Sequence, residues 1–324
     1  MSKRSLIVAL ALGVGLLCQP ALAAEYTFRV AHTNAADEVQ DKGLQRMREL
    51  LEAKTDGAAT IEIFPAGQLG DESQLIESVM LGSLDIAMSS NSMLSNYIED
   101  YQVFDLPFLF PSISELGAKL DEPKIATMMQ DSANQSGFEL LGVYSSGIRH
   151  LMTSKPVQTI ADLNGLKIRT MQNPVHIEAF KAYGANPTPM AYSELYGALQ
   201  SGVVDGAEGA ATNYTGQKLY EVAPDFALVG WLNMTAVVVM QKSAFDALPE
   251  KIQTALLESA HESAEWQRSY VEDQETPLLD ALKKKGVKIT KPDPAPFREA
   301  SIPLYKEMLK SDSQKALFDA LTAE

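Results

Sequence analysis

The chain has 324 residues, of which 46% are hydrophobic, so it is too long for one average domain and predicts two lobes with ordinary cores. Its formal net charge of -15 argues against nucleic acid and anionic membranes as partners. An acidic protein that binds an anion needs a local reversal of charge, which a few arginines in a cleft would supply.

The first 23 residues have the features of a secretory signal peptide. Lys3 and Arg4 form a basic start, residues 6–17 are an apolar run too short to span a membrane, and residues 21–23 form an A-x-A cleavage site. The single cysteine, Cys18, lies in this segment after Leu17, where a lipoprotein signal would need a small residue. We therefore predict an exported, periplasmic chain without a lipid anchor, a disulfide or a thiol site.

Strand and helix patterns alternate through the first half of the chain. Strands are predicted at residues 26–31, 59–64, 84–88 and 139–144, and helices at residues 37–53 and 74–81. In the first helix, the inward positions are Val39, Leu44, Met47, Leu50 and Leu51. This alternation predicts a largely parallel α/β sheet.

The same alternation starts again after Tyr144. Strands are predicted at residues 166–170, 186–189 and 203–207, and helices at residues 175–183 and 192–200. The apolar run 231–241 predicts a strand long enough to pass between two units. We place a boundary near residue 146 from this pattern, and we find neither a short-period repeat nor a low-complexity linker.

Residues 249–285 contain no glycine and one interruption, Pro277. The segment predicts either one long helix that is kinked at the proline and lies across both lobes, or two ordinary helices broken there. Gly286 ends the helical pattern, residues 287–290 predict a strand, and two amphipathic helices close the chain.

The motifs of enzymes are not found. The histidines at positions 32, 150, 176 and 261 share no metal-ligand spacing, and His261-Glu262 lacks the second histidine of a zinc-protease motif. There is no G-x-S-x-G elbow and no phosphate-binding loop. We therefore expect no catalysis, cofactor or metal, and an exported hydrolase stays an alternative.

Two arginines at the ends of predicted elements are candidate ligand contacts. Arg149 follows a strand, and Arg169 lies in the strand 166–170, near the carboxyl end where open α/β sheets bind ligands. A guanidinium is permanently charged, and its planar fork matches a carboxylate with two hydrogen bonds. The alternative is that both arginines pair with surface acids.

Six runs occur in the order and at the spacing of one family: GQLG at 67–70, DLPF at 105–108, DLNGLKIR at 162–169, GANPTPM at 184–190, LQSGVVDG at 199–206 and YEV at 220–222. Together they resemble the periplasmic binding proteins of TRAP (tripartite ATP-independent periplasmic) transporters over nearly the whole mature chain. The resemblance implies a receptor that hands its ligand to membrane permease subunits driven by an ion gradient.

The resemblance also implies the fold. It is a two-lobed α/β periplasmic binding protein fold, each lobe a mixed sheet flanked by helices, with one long kinked helix spanning both lobes. The first lobe would contain residues 24–146 plus 235–275, and the second residues 147–234 plus 276–324. We expect a monomer that closes like a clamp and does not insert into the membrane.

The site residues follow from the same resemblance, position by position. Arg169 falls on the family's carboxylate-clamping arginine and Arg149 on a second pocket arginine, while Tyr192 and Glu72 fall on an aromatic and an acidic contact. Further expected contacts are Ser90, Asn91, Gln172 and His32. Many relatives have Asn-Pro after the Asp-Gly-x-Glu run, where this chain has Gly209-Ala210, so Asn213 or Tyr214 would replace the lost asparagine. The change to glycine and alanine would leave room for a bulkier or differently shaped ligand.

These contacts favour a sugar acid, such as a uronate, because one carboxylate and several hydroxyls would be recognised. A C4-dicarboxylate is the main alternative, with Arg149 taking the second carboxylate. A ligand-loaded sensory protein that docks on a receptor is the other alternative, and the sequence does not separate it from transport.

Overall fold

The computed structural model describes residues 24–323, so the predicted signal peptide and Cys18 lie outside the described residues. The strands of this part are β1 Tyr26–Ala31, β2 Ala59–Phe64, β3 Ile86–Ser90, β4 Phe138–Thr153, β5 Lys167–Thr170, β6 Asn186–Pro189, β7 Gly206–Ala210, β8 Asp225–Gln241 and β9 Lys288–Thr290. The helices are α1 Val39–Lys54, α2 Glu72–Met80, α3 Asn91–Leu94, α4 Ile113–Leu120, α5 Pro123–Gln135, α6 Pro174–Ala182, α7 Leu195–Gln200, α8 Ala211–Gly216, α9 Lys242–Asp246, α10 Glu250–Lys284, α11 Ala295–Met308 and α12 Asp312–Thr322. Short 3₁₀ segments lie at Glu99–Asp105, Ile160–Leu163, Tyr192–Glu194 and Leu219–Glu221.

The strands form one mixed sheet in the order β2-β1-β3-β8-β4-β7-β5-β6, with β9 paired to β8. The outer strands pair in parallel, β1 with β2 and β3, and β5 with β6 and β7. In the centre, β3, β8, β4 and β7 pair antiparallel. The largely parallel sheet expected from the alternation is therefore wrong at the centre, and the mixed, two-lobed fold expected from the resemblance is confirmed.

The antiparallel centre consists of two long strands that run from one lobe into the other. The sequence predicted a strand end at Tyr144, but β4 continues to Thr153. Gly147 adopts a φ of 84°, and the pairing register shifts between Ser145 and Gly147, so a β-bulge absorbs the glycine instead of ending the strand. Arg149 consequently lies inside β4 and not after it. The residues at which the lobes divide stay a prediction.

Three cores hold the layers together. On one face of the first lobe, β1 and β3 pack under α1 and α10 through residues such as Val30, Met47 and Leu256. In the second lobe, α7, α8 and α10 enclose a smaller core around Tyr214 and Leu282. A third core covers the opposite face across both lobes and includes Trp231 together with residues of α2, α5, α6 and α11 such as Ile76, Met129, Phe180 and Leu304.

Helix α10 is continuous for 35 residues and passes through Pro277. At 1.5 Å per residue it is about 52 Å long, and it buries Leu256 in the first-lobe core and Leu282 in the second-lobe core. One helix spanning both lobes is thus confirmed, the two-helix alternative is wrong, and the kink at Pro277 stays a prediction. Within residues 24–323, no helix has the length and apolar character needed to cross a bilayer.

Candidate ligand-binding site

A cavity with about 530 Å³ of empty space, part of it open to solvent, lies where the carboxyl ends of β3, β5 and β7 meet the crossing strands β4 and β8. Side chains from both lobes line it. Seven of the residues expected from the sequence are among them: Glu72, Ser90, Arg149, Arg169, Tyr192, Gly209 and Asn213. The edges of both parallel units therefore contribute to one crevice, as the topology of open α/β sheets predicts.

Arg169, on β5, is buried in the wall of this cavity with only 3% of its surface exposed. Its Nε and Nη2 donate to the carbonyl oxygen of Met190 at 3.1 and 2.7 Å, and its Nη1 lies 4.0 Å from Glu208 Oε1. Burial lowers the pKa of Arg169 from its ordinary value, yet an arginine keeps its charge at neutral pH. The guanidinium is thus a fixed, buried positive charge at the cavity.

Arg149, on β4, forms a bidentate ion pair with Glu208, on β7. Arg149 Nε lies 2.5 Å from Glu208 Oε2, and its Nη2 donates to Oε1 at 2.8 Å and to the Glu208 carbonyl at 3.1 Å. Burial alone would raise the pKa of Glu208, but the charge and hydrogen bonds of Arg149, together with the nearby His176, outweigh it and hold the pKa well below its ordinary value. Glu208 therefore stays ionised and compensates most of the charge of Arg149.

The sequence reasoning missed Glu208 as a site residue, although a signal was present. Glu208 is the one charged residue in the strand Gly206–Ala210, which is otherwise built from glycine and alanine. A carboxylate in such a buried strand needs a cation beside it, because an unpaired buried charge is strongly destabilising.

His176 is a second residue that the sequence reasoning missed. Its imidazole lies between Asp105 and Glu208, with Nε2 3.6 Å from Asp105 Oδ1 and Nδ1 3.8 Å from Glu208 Oε1. Burial lowers the pKa of His176, but the two carboxylates raise it above its ordinary value in sum. The ring also packs edge-on against Trp231 with the ring centroids 4.8 Å apart, so it supports Glu208 from outside the cavity.

Glu72 and Ser90 form a polar corner contributed by the first lobe. Glu72 begins α2 directly after its N-cap residue Asp71, which forms a capping box with Gln74. The Glu72 oxygens accept from Ser90 N at 2.9 Å and Ser90 Oγ at 2.7 Å. Burial raises the pKa of Glu72 despite these bonds and the charges of Arg169 and Arg149. The corner can accept hydrogen bonds from ligand hydroxyls.

Tyr192 and Asn213 line the cavity from the second lobe. Tyr192 opens the 3₁₀ segment before α7, and its hydroxyl lies 3.5 Å from the Asn213 carbonyl. Burial, with the nearby Glu38, raises the pKa of Tyr192 well above its ordinary value, so it stays a neutral donor. Tyr214, the alternative to Asn213, points into the second-lobe core and donates to the Ala223 carbonyl.

Gly209 lines the cavity, but the room expected beside it is filled. A Cβ on Gly209 would lie 2.6 Å from Cε of Met152, which lies on the neighbouring strand β4 opposite Ala207. The expectation that the glycine leaves space for a bulkier ligand is therefore wrong, because the methionine methyl group packs on the glycine. Three further methionines, Met88, Met171 and Met234, also line the cavity and give it a flexible apolar wall.

The remaining three expected contacts do not line this cavity. His32 is fully buried and bonds Asp41 Oδ1 through Nε2 at 3.0 Å, and the Asn91 amide donates to the Tyr101 carbonyl at 2.8 Å. Successive side chains at a strand end point in different directions, so Ser90 reaches the cavity while Asn91 turns into its own lobe. Gln172 is exposed and lines a smaller adjoining cavity together with Glu72, Arg169 and Tyr192.

In the described residues 24–323, no group of three or more histidine, cysteine, aspartate or glutamate side chains is arranged to hold a metal ion.

The cavity combines one polar corner, one apolar wall and a buried guanidinium. This arrangement is suited to hold an anionic organic molecule.

Comparisons with known proteins agree with this geometry. A family model described as "bacterial extracellular solute-binding protein, family 7" matches residues 30–312. The chain is 31% identical to the 2,3-diketo-L-gulonate-binding periplasmic protein YiaO of Escherichia coli K12 over 96% of this chain and 95% of that protein.

Two solved structures are similar over 92% of this chain. One is a TRAP periplasmic solute-binding protein of Xanthobacter autotrophicus with bound β-D-galacturonate, with a TM-score of 0.88, 31% identity and all of that chain covered. The other is a TRAP periplasmic solute-binding protein of Roseobacter denitrificans with bound β-D-glucuronate, with a TM-score of 0.87, 30% identity and 99% of that chain covered.

Proposed function

Because this chain belongs to family 7 of the bacterial extracellular solute-binding proteins, we propose that it is the periplasmic receptor of a TRAP transporter and captures a sugar acid such as a uronate. Its similarity to a diketogulonate-binding protein and to structures with bound galacturonate and glucuronate supports this ligand class. After removal of the signal peptide, the receptor would hand the acid to the membrane permease subunits unchanged, without acting as an enzyme.

The observation that carries the proposal is the buried guanidinium of Arg169 at the cavity between the lobes. The Met190 carbonyl fixes its Nε–Nη2 edge, so the fork is oriented before a ligand arrives. A ligand carboxylate that enters would form charge-assisted hydrogen bonds with it, each worth roughly 1.5–3 kcal/mol. Closure of the lobes expels water and strengthens these bonds.

The charges around the cavity favour one carboxylate over two. Arg149 already meets the Glu208 carboxylate with two nitrogens, so a second ligand carboxylate would have to compete with a buried protein group. Glu72, on the opposite lobe, would repel a second carboxylate whenever it is ionised. These contacts argue against the C4-dicarboxylate alternative.

The rest of the lining suits a hydroxylated ring. Glu72 and Asn213 can accept or donate hydrogen bonds to hydroxyls. The methionine wall and the Tyr192 ring offer an apolar surface for the C–H face of a sugar. Affinities between micromolar and nanomolar need about −8 to −12 kcal/mol, so these contacts must add to the carboxylate clamp.

The test is a panel of ligands against the purified mature chain, with thermal unfolding and calorimetry as readouts. The panel contains uronates, aldonates, keto acids and C4-dicarboxylates, and glucose serves as the control without a carboxylate. A ligand at 100 times its Kd stabilises the folded state by about 2.7 kcal/mol. We expect uronates to stabilise most and glucose not at all.

Two results would contradict the proposal in different ways. No stabilisation by any organic acid rejects the receptor function, and tighter binding of succinate or malate than of uronates rejects the sugar-acid assignment.

Chromatography of the released ligand checks that the acid is recovered unchanged, because an exported hydrolase would convert it. Neighbouring genes for two membrane subunits would separate transport from a sensory role.

A further inference from the structure

Glu38 connects the two lobes next to the cavity, and the contact depends on a glycine. Glu38 is the N-cap residue of α1 in the first lobe, and only 8% of its surface is exposed. Its carboxyl group lies directly on Gly216 of α8 in the second lobe, because a Cβ on Gly216 would be 1.7 Å from Glu38 Oε1. The same helix α8 carries Asn213, which lines the cavity.

The carboxyl group is poorly provided with hydrogen-bond donors. Glu38 Oε2 accepts from Asn34 Nδ2 at 3.2 Å, whereas Oε1 has no hydrogen-bond partner among residues 24–323. Burying a carboxylate whose oxygen receives no hydrogen bond costs free energy, whereas burying the neutral, protonated carboxyl group costs much less. The packing on Gly216 therefore favours the neutral form of Glu38.

The charged and titratable neighbours do not offset this preference. On the α1 side, Asp41 bonds His32, Asp37 adds a further negative charge, and Lys42 donates to the Tyr270 hydroxyl of α10 at 3.0 Å. The titratable neighbour in the second lobe is Tyr192, which is neutral. Burial raises the pKa of Glu38 from 4.5 to about 7, with the hydrogen bond from Asn34 and the nearby polar groups of Ala35 and Asn213 opposing it and the charge of Asp41 adding to it.

We propose that Glu38 is a proton-linked positioning residue of the ligand site, whose protonated carboxyl group packs on Gly216 and thereby holds Asn213 in place when the lobes close. The inference rests on the proposed receptor function. When the lobes separate, Glu38 returns to water and ionises, so closure on the ligand takes up a proton at this residue.

The sign of the pH effect follows from this linkage. The closed form has the raised pKa of about 7, so the contribution of Glu38 to closure is complete at low pH and is lost as the pH rises through 7. With an ordinary pKa in the open form, this contribution changes the affinity about tenfold between pH 6 and pH 8. Glu72 and His176 also have raised pKa values, so the wild-type profile must be compared with a variant.

The first experiment compares Glu38→Gln, which imitates the protonated carboxyl group, with the wild type. Galacturonate, or the acid of the panel that binds if galacturonate does not, is titrated into the mature chain by calorimetry at pH 6, 7 and 8. We expect the wild type to lose about tenfold more affinity than Glu38→Gln between pH 6 and pH 8. Glu49→Gln makes the same change at an exposed position of α1 and should follow the wild type.

The second experiment tests the contact itself. Gly216→Ala places a methyl group against the Glu38 carboxyl group and should weaken binding at pH 6, while Glu38→Ala in the same chain should restore part of the affinity. Parallel pH profiles of the wild type and Glu38→Gln, or additive effects of the two alanines, overturn the inference. Wild-type protein that binds no acid at any pH instead rejects the receptor function on which the inference rests.

Discussion

Glu72 and Tyr192 occupy equivalent positions in the two lobes, each directly after the N-cap residue of a helical segment that leads into the last strand of a parallel unit. The two units have the same connectivity, with strand orders β2-β1-β3 and β6-β5-β7. Both side chains line the cavity. The ligand would therefore lie between an acid from one copy of the unit and an aromatic ring from the other.

A matching pair of aspartates supports the equivalence. Asp85 Oδ2 accepts from the backbone N–H of Arg29 at 2.8 Å, and Asp205 Oδ2 accepts from that of Lys167 at the same distance. Each aspartate lies directly before the last strand of its unit and accepts a hydrogen bond from the backbone of the unit's first strand. The sequence search found no repeat because only this short turn and its spacing are shared.

Replacing Arg169 with lysine should weaken ligand capture even though the charge is retained. Lysine cannot bond the Met190 carbonyl and a carboxylate with the same planar fork. The loss of one charge-assisted hydrogen bond, about 1.5–3 kcal/mol, corresponds to a rise in Kd of roughly 10- to 100-fold by calorimetry. Arg29→Lys is the matched control, because Arg29 forms an exposed pair with Asp85, and it should bind normally. Equal affinities of all three proteins would show that Arg169 does not clamp the ligand.

Replacing Glu208 with glutamine should destabilise the ligand-free protein. The change leaves the Arg149 charge buried without its partner, which costs roughly 3–5 kcal/mol in the free energy of unfolding. The pKa of Glu208 is lowered in the folded state. Its contribution to the free energy of unfolding is therefore complete when the pH is above the ordinary pKa of a glutamate, and it is lost as the pH falls below that value. Denaturant unfolding should therefore show a constant difference between variant and wild type from pH 7 to about pH 5, and a shrinking one in more acid buffer. A difference that grows toward acid pH would contradict the ion pair.

The sequence was informative where the function depends on local pattern. The position of Arg169 at a strand end could be predicted because a strand is visible in one stretch of residues. For residues 249–285 the pattern left one helix or two open, and only the family resemblance favoured the continuous α10. The ion pair of Arg149 could not, since Glu208 lies 59 residues away and the pairing depends on β4 running antiparallel to β7.

The prediction from sequence was also wrong where the same residue is compatible with two different local structures. The strand predicted over residues 139–144 was expected to end at Tyr144, but it continues through a bulge at Gly147, which only the pairing with the neighbouring strands reveals. The sequence predicted free space beside Gly209, but the Met152 side chain packs on this glycine and fills the space. The helices α4 and α5 were not predicted, although Ser112 is a capping residue for the first and Pro123 begins the second.

The close contact of Gly209 with Met152 predicts that alanine at position 209 forces the methionine side chain to move. Its Cβ would lie 2.6 Å from Met152 Cε, which is the far end of a flexible side chain, so the loss in the free energy of unfolding should be small, about 1 kcal/mol. Met152→Ala should relieve the strain, so the double variant should be more stable than the sum of the single changes predicts. Thermal unfolding of the four proteins of the cycle measures this coupling. Strictly additive changes would mean that the methionine methyl group does not pack on the glycine.

Gln267 attaches α10 to the crossing strand β4, and its loss should destabilise the junction of the lobes. Its Oε1 accepts from the Ser145 N–H and its Nε2 donates to the Ser145 carbonyl, both at 2.8 Å, beside the bulge at Gly147. Methionine has a similar shape but leaves both buried backbone groups without partners, at a cost of about 1–3 kcal/mol each. Denaturant unfolding of Gln267→Met should therefore show a loss of roughly 2–6 kcal/mol. The control is Gln274→Met, two turns further along the same helix at a half-buried position, which should change the free energy of unfolding by less than about 1 kcal/mol. An equal loss in both variants would show that helix packing, and not the hydrogen bonds to Ser145, sets the stability.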